Sequence, residues 1–487
     1  MTDSPAIRLP LDPKEQPILD RILDIRDRLS LLKADKSTYV KSQDVLTLYN
    51  QINEQVEILN EIRKEKRDEQ NRVDIVLDDC YQLISLFFMT VGRTQEAPAV
   101  YSAVSTVKRL LDHLREAGFY SRKDLISIGK KLEEWQGSVE RGREHHSPHL
   151  LTLLEARMAV CRTTLHQLEH ELSHLTPDLE PIYEELVSIL RSLSGSNARS
   201  KFPVQEVRQF HTRLLEIKEK THDSFTLPEK DDRSAEDRYA DKLRQMQAEH
   251  DAAGNTAPEG RKVVSDVLQR CLIWVDLIQQ KQGKIDERFQ DTYDKLREIR
   301  NQLDRLTLTQ SWSLRETDLW MYQRQLDRVD EARVDGNFLD AEGKPADLHA
   351  QRTLLYLLRK SYAYIYQLII ASEPVSEALL PIYNQLMTLR RCLWEVKNSG
   401  GVDSPRELYP YSMKLNSIDN MRVDGKFMVG SDIPEGQGSV TTLLAECFEL
   451  AYDLRTAAEE HQENEDSAMK DTVKDEGATP AVGVGVQ

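Results

Sequence analysis

The segment His166-Gln-Leu-Glu-His170 has the residue types and spacing of a helical zinc site. Histidines at positions i and i+4 share one face of a helix and can bind one zinc ion, while the glutamate activates a water molecule. His174 lies one turn further on. However, leucines at positions 165, 168, 172 and 175 form an apolar stripe, which places the histidines beside it or towards solvent. No third ligand is evident downstream. We therefore assign no catalytic or cofactor-binding residue and keep His166, His170 and His174 as the metal-ligating candidates.

Two nearly identical heptads form the next candidate site, Arg333-Val-Asp-Gly-Asn-Phe-Leu339 and Arg422-Val-Asp-Gly-Lys-Phe-Met428. The Asp-Gly pair predicts a tight turn in each, with Gly336 and Gly425 at positive φ and the phenylalanine returning to the core. A calcium loop fits poorly, because arginine stands where an EF-hand needs an oxygen ligand. If a surface loop binds a partner or ligand, these loops are the first choice, through Arg333, Asp335, Arg422 and Asp424.

Three of the five cysteines follow a pair of aliphatic residues by three positions, namely Cys80, Cys271 and Cys447. A catalytic thiol has no reason to recur at the same place in repeated segments, whereas a small core residue does. The pattern therefore predicts buried, packing cysteines. There is no C-x-x-C pair, so a zinc or redox-active cysteine site has no support.

Other motifs give less support for chemistry. Gly195-Ser-Asn-Ala-Arg-Ser-Lys201 contains residues that suit phosphate but lacks the spacing of a phosphate-binding loop. The nucleotide and nucleophile-elbow motifs G-x-G-x-x-G and G-x-S-x-G are also missing. An aromatic-rich region favours a core between helices over a ligand cage, and any exposed part would suit a protein interface. Its residues are Trp320, Tyr356, Tyr362, Tyr364 and Tyr366.

The elements that carry these residues repeat along the chain. Five segments share an anchor residue followed by apolar residues at +3, +6 and +10, which is the stripe of an α-helix, here called helix A. The anchors are Leu19, Tyr101, Tyr183, Tyr293 and Tyr383.

Each helix A is followed by two more predicted helices, B and C. Ser121, Ser313 and Ser404 each precede an acidic residue by three positions, which is the capping-box signature of a helix start. Pro203 takes that place in the third repeat, as suits a first-turn proline. Helix C carries two aliphatic residues in tandem. The sequence therefore predicts an all-α fold of five three-helix repeats, arranged as an α-solenoid or as two packed helical bundles.

Composition shifts divide the chain further. The segment around residues 222–261 is polar and dense in charge, and the chain beyond about residue 461 becomes acidic. The predicted parts are a flexible N-terminus (1–16), an N-terminal helical repeat domain (17–222), a charged flexible insertion (223–262), a C-terminal helical repeat domain (263–460) and a disordered tail (461–487).

The net charge narrows the range of partners. The 487 residues include 65 Lys and Arg against 82 Asp and Glu, for a formal net charge of −17. A negative field repels nucleic acid and anionic membranes, so both rank low as partners. The apolar stretches are too short or too interrupted by charge for membrane insertion. The odd cysteine count agrees with a soluble protein of a reducing compartment.

With these repeats and motifs, the chain resembles a fungal family of uncharacterised proteins that carry an all-helical domain of unknown function, usually in two copies. The resemblance rests on Pro181-Ile-Tyr-Glu-Glu-Leu186, Pro381-Ile-Tyr-Asn-Gln-Leu386 and the paired R-V-D-G-x-F motifs, and it extends from about Pro17 to Arg455. It implies a cytoplasmic and nuclear protein with no established activity, and it brings no catalytic residues.

The architecture predicts a non-enzymatic scaffold or adaptor that binds other proteins through its helical surfaces and its acidic insertions, without a cofactor. The alternative is a small-ligand-binding or metal-dependent enzyme that uses His166, Glu169 and His170, or the paired Arg-Val-Asp-Gly loops. Nucleic-acid binding is a third hypothesis, which the net charge disfavours.

Overall fold

A computed structural model describes residues 10, 12–64, 71–199, 201–221 and 259–475. The described part of the chain contains fifteen α-helices and one short β-hairpin. The helices are α1 (Gln16–Ala34), α2 (Ser42–Ile62), α3 (Arg72–Thr90), α4 (Val100–Ala117), α5 (Arg122–Arg141), α6 (Pro148–Ser173), α7 (Glu180–Asn197), α8 (Val204–Thr221), α9 (Glu259–Lys281), α10 (Gln290–Ser313), α11 (Leu319–Glu331), α12 (Leu348–Ile370), α13 (Leu380–Asn398), α14 (Tyr409–Asp419) and α15 (Gln437–Asp475). Strands β1 (Arg422–Val423) and β2 (Lys426–Phe427) pair antiparallel.

The prediction of an all-α fold built from repeats is confirmed. Taken in threes, the helices are A, B and C of repeats 1 to 5, from α1–α3 to α13–α15. Every residue of the predicted stripe of helix A is buried in repeats 1 to 4. In repeat 5, Tyr383 and Leu389 of that stripe are only partly buried, while Leu386 and Leu393 are fully buried. The terminal repeat is therefore the most open of the five.

Helix A packs against helix C, and a cysteine of helix C marks the contact in four repeats. Each of these thiols is buried and donates to the backbone carbonyl of the residue three positions after the anchor of helix A. The pairs are Cys80 with Ile22, Cys161 with Val104, Cys271 with Leu186 and Cys447 with Leu386, at 3.5–3.9 Å between sulfur and oxygen. Burial raises the pKa of Cys161 and Cys447 to about 11, so neither thiol is a reactive thiolate at neutral pH.

The predicted helix starts hold in part. Ser121 forms the full capping box with Asp124 at the start of α5. The Ser404 side chain accepts a hydrogen bond from the Arg406 backbone N–H, at the start of a short 3-10 helix that leads into α14. The prediction for Ser313 is wrong, because α10 continues through that residue and a 3-10 turn at Glu316–Asp318 precedes α11.

The chain divides into two compact units. The larger comprises the described residues of Met1–Asp35, Leu46–Phe88 and Thr94–Ser372. The smaller comprises those of Lys36–Val45, Met89–Arg93 and Glu373–Gln487. Repeat 5 lies in the smaller unit, where α13, α14 and α15 bury a core that includes Leu386, Leu393, Leu415, Phe427 and Leu444.

Two predicted flexible segments lie partly outside the described residues. The charged insertion, residues 223–262, is described only from residue 259, where α9 begins, so its flexibility and the domain limits that it sets stay predictions. The tail was expected to lose structure from residue 461, but α15 continues to Asp475, since Glu, Gln, Ala and Lys favour helix. Residues 476–487 lie outside the described part. Among the described helices, none is both long and apolar enough to cross a bilayer.

Candidate functional site

The paired R-V-D-G motifs form tight hairpin turns, as predicted. Asp335 and Gly336 have φ of 50° and 80°, and Asp424 and Gly425 have φ of 49° and 77°. Two successive positive φ angles are those of a type I′ turn, which Asp-Gly strongly favours. The phenylalanine that follows is buried in both copies, with Phe338 at 5% and Phe427 at 1% exposure.

A glutamine at the start of helix C fixes each turn, and the sequence patterns did not reveal it. The Gln351 side chain accepts from the Phe338 N–H and donates to the Phe338 carbonyl, at 2.9 and 3.0 Å. Gln437 makes the same two bonds with Phe427, at 2.9 and 2.7 Å. The number of residues between the phenylalanine and the glutamine differs in the two repeats, because the intervening loops differ in length. For this reason the glutamines do not appear as a shared sequence motif.

The two arginines of the motifs differ in their environments. The Arg333 side chain is 5% exposed and donates to the Gly336 carbonyl at 2.7 Å, to Asp330 at 3.0 Å and to Glu116 at 2.5 Å. It is therefore committed to contacts within the protein. Arg422 pairs with Asp419 and is more exposed. Of the four candidate interaction residues, Asp335 and Asp424 are exposed at the turns, Arg422 is partly accessible and Arg333 is occupied.

Asp330 is the centre of the network that holds Arg333. It accepts from His113 at 3.0 Å and from Arg109 at 3.2 Å, and its side chain is 9% exposed. Burial alone would raise the pKa of Asp330, but the hydrogen bond from His113 and the charges of Arg109 and Arg333 hold that pKa below its ordinary value.

Further along the same face of α11, polar side chains connect repeat 4 to the helices of repeats 1 and 2. Gln323 donates to Ser102 at 2.7 Å and to Thr106 at 3.1 Å, both on α4. Arg324 pairs with Asp79 of α3 at 2.6 Å. This face of helix B in repeat 4 is therefore covered by two other helices of the larger compact unit.

Two other carboxyls of this network, those of Asp79 and Asp327, resist ionisation. Burial raises the pKa of Asp79 to about 7, although Arg324 and Arg26 act to lower it. Burial likewise raises the pKa of Asp327 to about 6, against the opposing charge of Arg109 and a hydrogen bond from Tyr362. Such shifts occur at functional sites and also in structural ion-pair networks. Because these carboxyls bond to the residues that join three repeats, we interpret the network as structural.

The corresponding face of helix B in repeat 5 is open. Tyr409 and Met413 precede Arg422 by the same 13 and 9 residues as Trp320 and Arg324 precede Arg333. Trp320 is 3% exposed, whereas Tyr409 is 66% and Met413 is 55% exposed. The two residues lie one turn apart, on the same face of α14.

More exposed apolar residues follow α14 through the hairpin. We call this set, with Tyr409 and Met413, the repeat-5 apolar surface; its other members are Met421, Val423, Met428, Val429 and Ile433, which are 37–55% exposed. Exposed apolar residues in such number on one short segment are typical of a protein interaction site, and methionine adapts its shape to a partner.

His166 and His170 are exposed on α6, and His174 is the residue that follows the C-terminal end of this helix. His166 is largely exposed and contacts Glu169 at 3.2 Å. The rings of His170 and His174 are 4.9 Å apart between centroids and nearly perpendicular. A shallow depression beside them is lined by Arg115, His166, His170 and Glu171. In the described part of the chain, no group of three or more His, Cys, Asp or Glu residues is arranged to hold a metal ion.

The aromatic-rich region belongs mainly to the core between helices, as the sequence predicts. Trp320, Tyr362 and Tyr366 are buried, and Tyr362 donates to Asp327 at 2.6 Å. Tyr364 is more exposed and donates to Asp304. Tyr356 is half-buried among cationic side chains.

Comparisons with known proteins agree with the resemblance seen in the sequence. A protein family described as a protein of unknown function, DUF2408, matches residues 172–316 and 372–475. A CUB1 family protein of Schizosaccharomyces pombe is 36% identical over 97% of this chain and 99% of its own length. The Cu(2+) suppressing and bleomycin sensitive protein 1 of Saccharomyces cerevisiae is 36% identical over 93% of this chain and 92% of its own length. No solved structure matches.

Proposed function

The chain belongs to the fungal CUB1 family. We propose that it is a non-enzymatic helical-repeat adaptor whose repeat 5 binds an amphipathic helix of a partner protein. The observation that carries the proposal is the open face of α14. In repeat 4 the matching face is buried under two helices, whereas Tyr409 and Met413 in repeat 5 are exposed.

Repeat proteins stack one repeat on the next, and a terminal repeat normally ends in a polar face. Helix α14 departs from this rule, because its outer face carries a tyrosine and a methionine. A partner helix on this face would bury them as helices α3 and α4 bury the matching face in repeat 4. Helix-in-groove recognition of this kind uses apolar residues at i, i+3 or i+4, and i+7 of the bound helix.

The alternative enzyme hypothesis has less support from the structure. The buried thiols have raised pKa values, and His166 and His170 lie on an exposed helix face. Adaptor binding needs none of these groups, and it uses the exposed apolar residues directly.

The test compares three forms of the full chain, purified with cross-linked partners from the cells that make it. They are the wild-type chain, a Tyr409→Ser/Met413→Lys variant, and an Ile126→Lys control that changes an exposed apolar residue of α5, 47% exposed, in the larger compact unit. We expect the double variant to lose a stoichiometric partner by more than about tenfold, because interface anchors typically contribute 2 kcal/mol or more. The control should keep that partner. Equal recovery in all three forms would refute the proposed site, and recovery of only the same chain would replace the partner by a second copy.

A further inference from the structure

Helices α10 and α12 carry arginines that have no acidic partner among the described residues. Three of them, Arg300, Arg352 and Arg359, are partly buried. The Arg359 guanidinium lies over the Phe119 ring, 4.3 Å from its centre, and that of Arg352 lies 5.7 Å from the centre of Trp274. Nε of Arg300 and Nη1 of Arg359 are buried without a hydrogen-bond acceptor in the described part of the chain. Unpaired buried donors of this kind are costly, so they call for an explanation.

Two of these arginines, Arg300 and Arg359, act electrostatically on Tyr356 together with Arg199. The charges of Arg300, Arg359 and Arg199 all act on the Tyr356 hydroxyl, in the direction that lowers its pKa, although burial raises that pKa overall. The same side chain faces α7 at Gly195, where an added Cβ would lie 3.3 Å from the Tyr356 oxygen. Tyr356 therefore stands between the C-terminal end of α7 and the cationic faces of α10 and α12.

The cations repel one another. Burial, followed by the charge of Arg191, lowers the pKa of Arg359 to about 10, against the opposing charges of Tyr356 and Asp124. The pKa of Lys360 is lowered by burial and by the charges of Arg191, Arg300 and Arg359, against the opposing effect of Asp304. The protein thus holds like charges together at a position where each one disfavours the others.

Nearby acids compensate only part of this charge. Asp124 pairs with Arg191, Glu206 pairs with Arg199 at 2.7 Å, and Asp304 accepts a hydrogen bond from Tyr364. We call the five cations Arg191, Arg199, Arg300, Arg359 and Lys360, together with Tyr356, the α12 cationic site. Five cations against three acids leave a local positive excess in a chain whose net charge is −17.

We propose that the α12 cationic site binds a compact anion with two or more closely spaced phosphate groups. Planar guanidinium groups match phosphate oxygens with paired hydrogen bonds and bind them more specifically than lysine does. Such a ligand would accept from the unpaired donors of Arg300 and Arg359 and would neutralise the surplus charge. The segment Gly195–Lys201, rich in phosphate-compatible residues, contributes Gly195 and Arg199 to the same place.

Cation–π contacts alone do not account for the arrangement. The ring beneath Arg359 stabilises its charge, but it leaves the buried Nη1 without an acceptor among the described residues. The site is independent of the repeat-5 apolar surface, since all its residues lie in the larger compact unit. Its failure would therefore leave the adaptor proposal standing.

The test is isothermal titration calorimetry of the full chain with inorganic pyrophosphate, ATP and inositol hexakisphosphate, at near-physiological salt and with sulfate as the comparison anion. We expect one saturable site per chain for at least one of the three probes. Which probe binds best separates a nucleotide from an inositol phosphate as the source of the phosphates. Sulfate, with a single anionic group, should bind at least about tenfold more weakly.

Two variants and one control decide the outcome. Arg300→Gln and Arg359→Gln should each weaken binding about tenfold or more, since each removes a charge-assisted donor. Without ligand, Arg359→Gln should melt at or above the wild-type temperature, because a mutually repelling charge is removed. That melting result would show that lost binding does not come from misfolding. Arg213→Gln, at an exposed arginine paired with Glu185 and Glu216, should bind as the wild type does. Absence of binding for all three probes, or equal binding by the site variants and the control, would overturn the proposal.

Discussion

The Asp330→Ala variant is expected to lose about 3–5 kcal/mol of unfolding free energy, the typical effect of removing one partner from a buried ion pair. Asp330 accepts from His113, Arg109 and Arg333 at 3.0–3.2 Å, so its removal leaves the two arginines without their shared acceptor. The pKa of Asp330 is lowered in the folded protein. Its contribution is therefore present at neutral pH and is lost only as the pH falls below about 4, through the folded-state pKa.

Urea denaturation at pH 7, followed by circular dichroism, measures this effect. The matched control is Glu331→Ala, because Glu331 pairs with the same Arg109 at 3.3 Å but is 55% exposed. Exposed ion pairs contribute about 1 kcal/mol or less, so the control should unfold close to the wild type. If the two variants shifted the denaturation midpoint equally, Asp330 would not be the centre of the network.

A loss of similar size is expected for Glu15→Ala. The Glu15 side chain is fully buried and accepts from Arg63 at 3.0 and 2.7 Å and from Asn71 at 2.8 Å. Without it, Arg63 keeps only Asp74 as an acidic partner among the described residues, at 2.7 Å. We expect a decrease of about 3–5 kcal/mol in unfolding free energy, because the remaining guanidinium stays mostly buried.

The control for this variant is Glu61→Ala, which breaks the exposed pair with Lys64 at 2.7 Å on the same part of the chain. Thermal melting of both variants and the wild type provides the comparison. If the Glu15→Ala protein had the same melting temperature as the control, the turn Pro13–Glu15 would not hold the start of α1 in place.

Glu15 also shows where sequence reasoning failed. The first 16 residues carry mixed charges and no apolar stripe, which predicts a flexible segment. In the structure, Pro13–Glu15 forms a 3-10 turn and Glu15 is buried. Its burial depends on Arg63 and Asn71, which lie 48 and 56 positions away. A pattern read along one helix cannot detect such a partner.

The helices themselves were predictable, because a stripe at +3, +6 and +10 reports directly on the buried face of one helix. The register between packed helices was harder to predict from the sequence. In repeat 2 the tandem pair Leu153-Leu154 suggested the packing position, yet Leu153 is 37% exposed and the thiol that meets helix A is Cys161, seven residues beyond Leu154. Only the packing of α6 on α4 decides which turn of helix C faces helix A.

The candidate loops were placed correctly as turns, but their arginines were not distinguished. Arg333 and Arg422 occupy the same position of the same motif. Each pairs with the acid three positions before it, Asp330 or Asp419. The difference is that Glu116, on α4, also contacts Arg333. Likewise, no sequence pattern distinguishes Tyr409 and Met413. Their exposure is informative only because the matching face in repeat 4 is buried.

The most direct test of the adaptor proposal places a photo-activated cross-linking amino acid at Met413 of the full chain. A second chain carries it at Leu308 of α10, which is 83% exposed, as the control. After irradiation in cells, mass spectrometry identifies the attached peptides. We predict that Met413 attaches reproducibly to one partner, within a segment whose apolar residues recur at helical spacing, and that Leu308 does not. Attachment at Met413 to no defined segment, or to the same proteins as at Leu308, would contradict the proposed adaptor site.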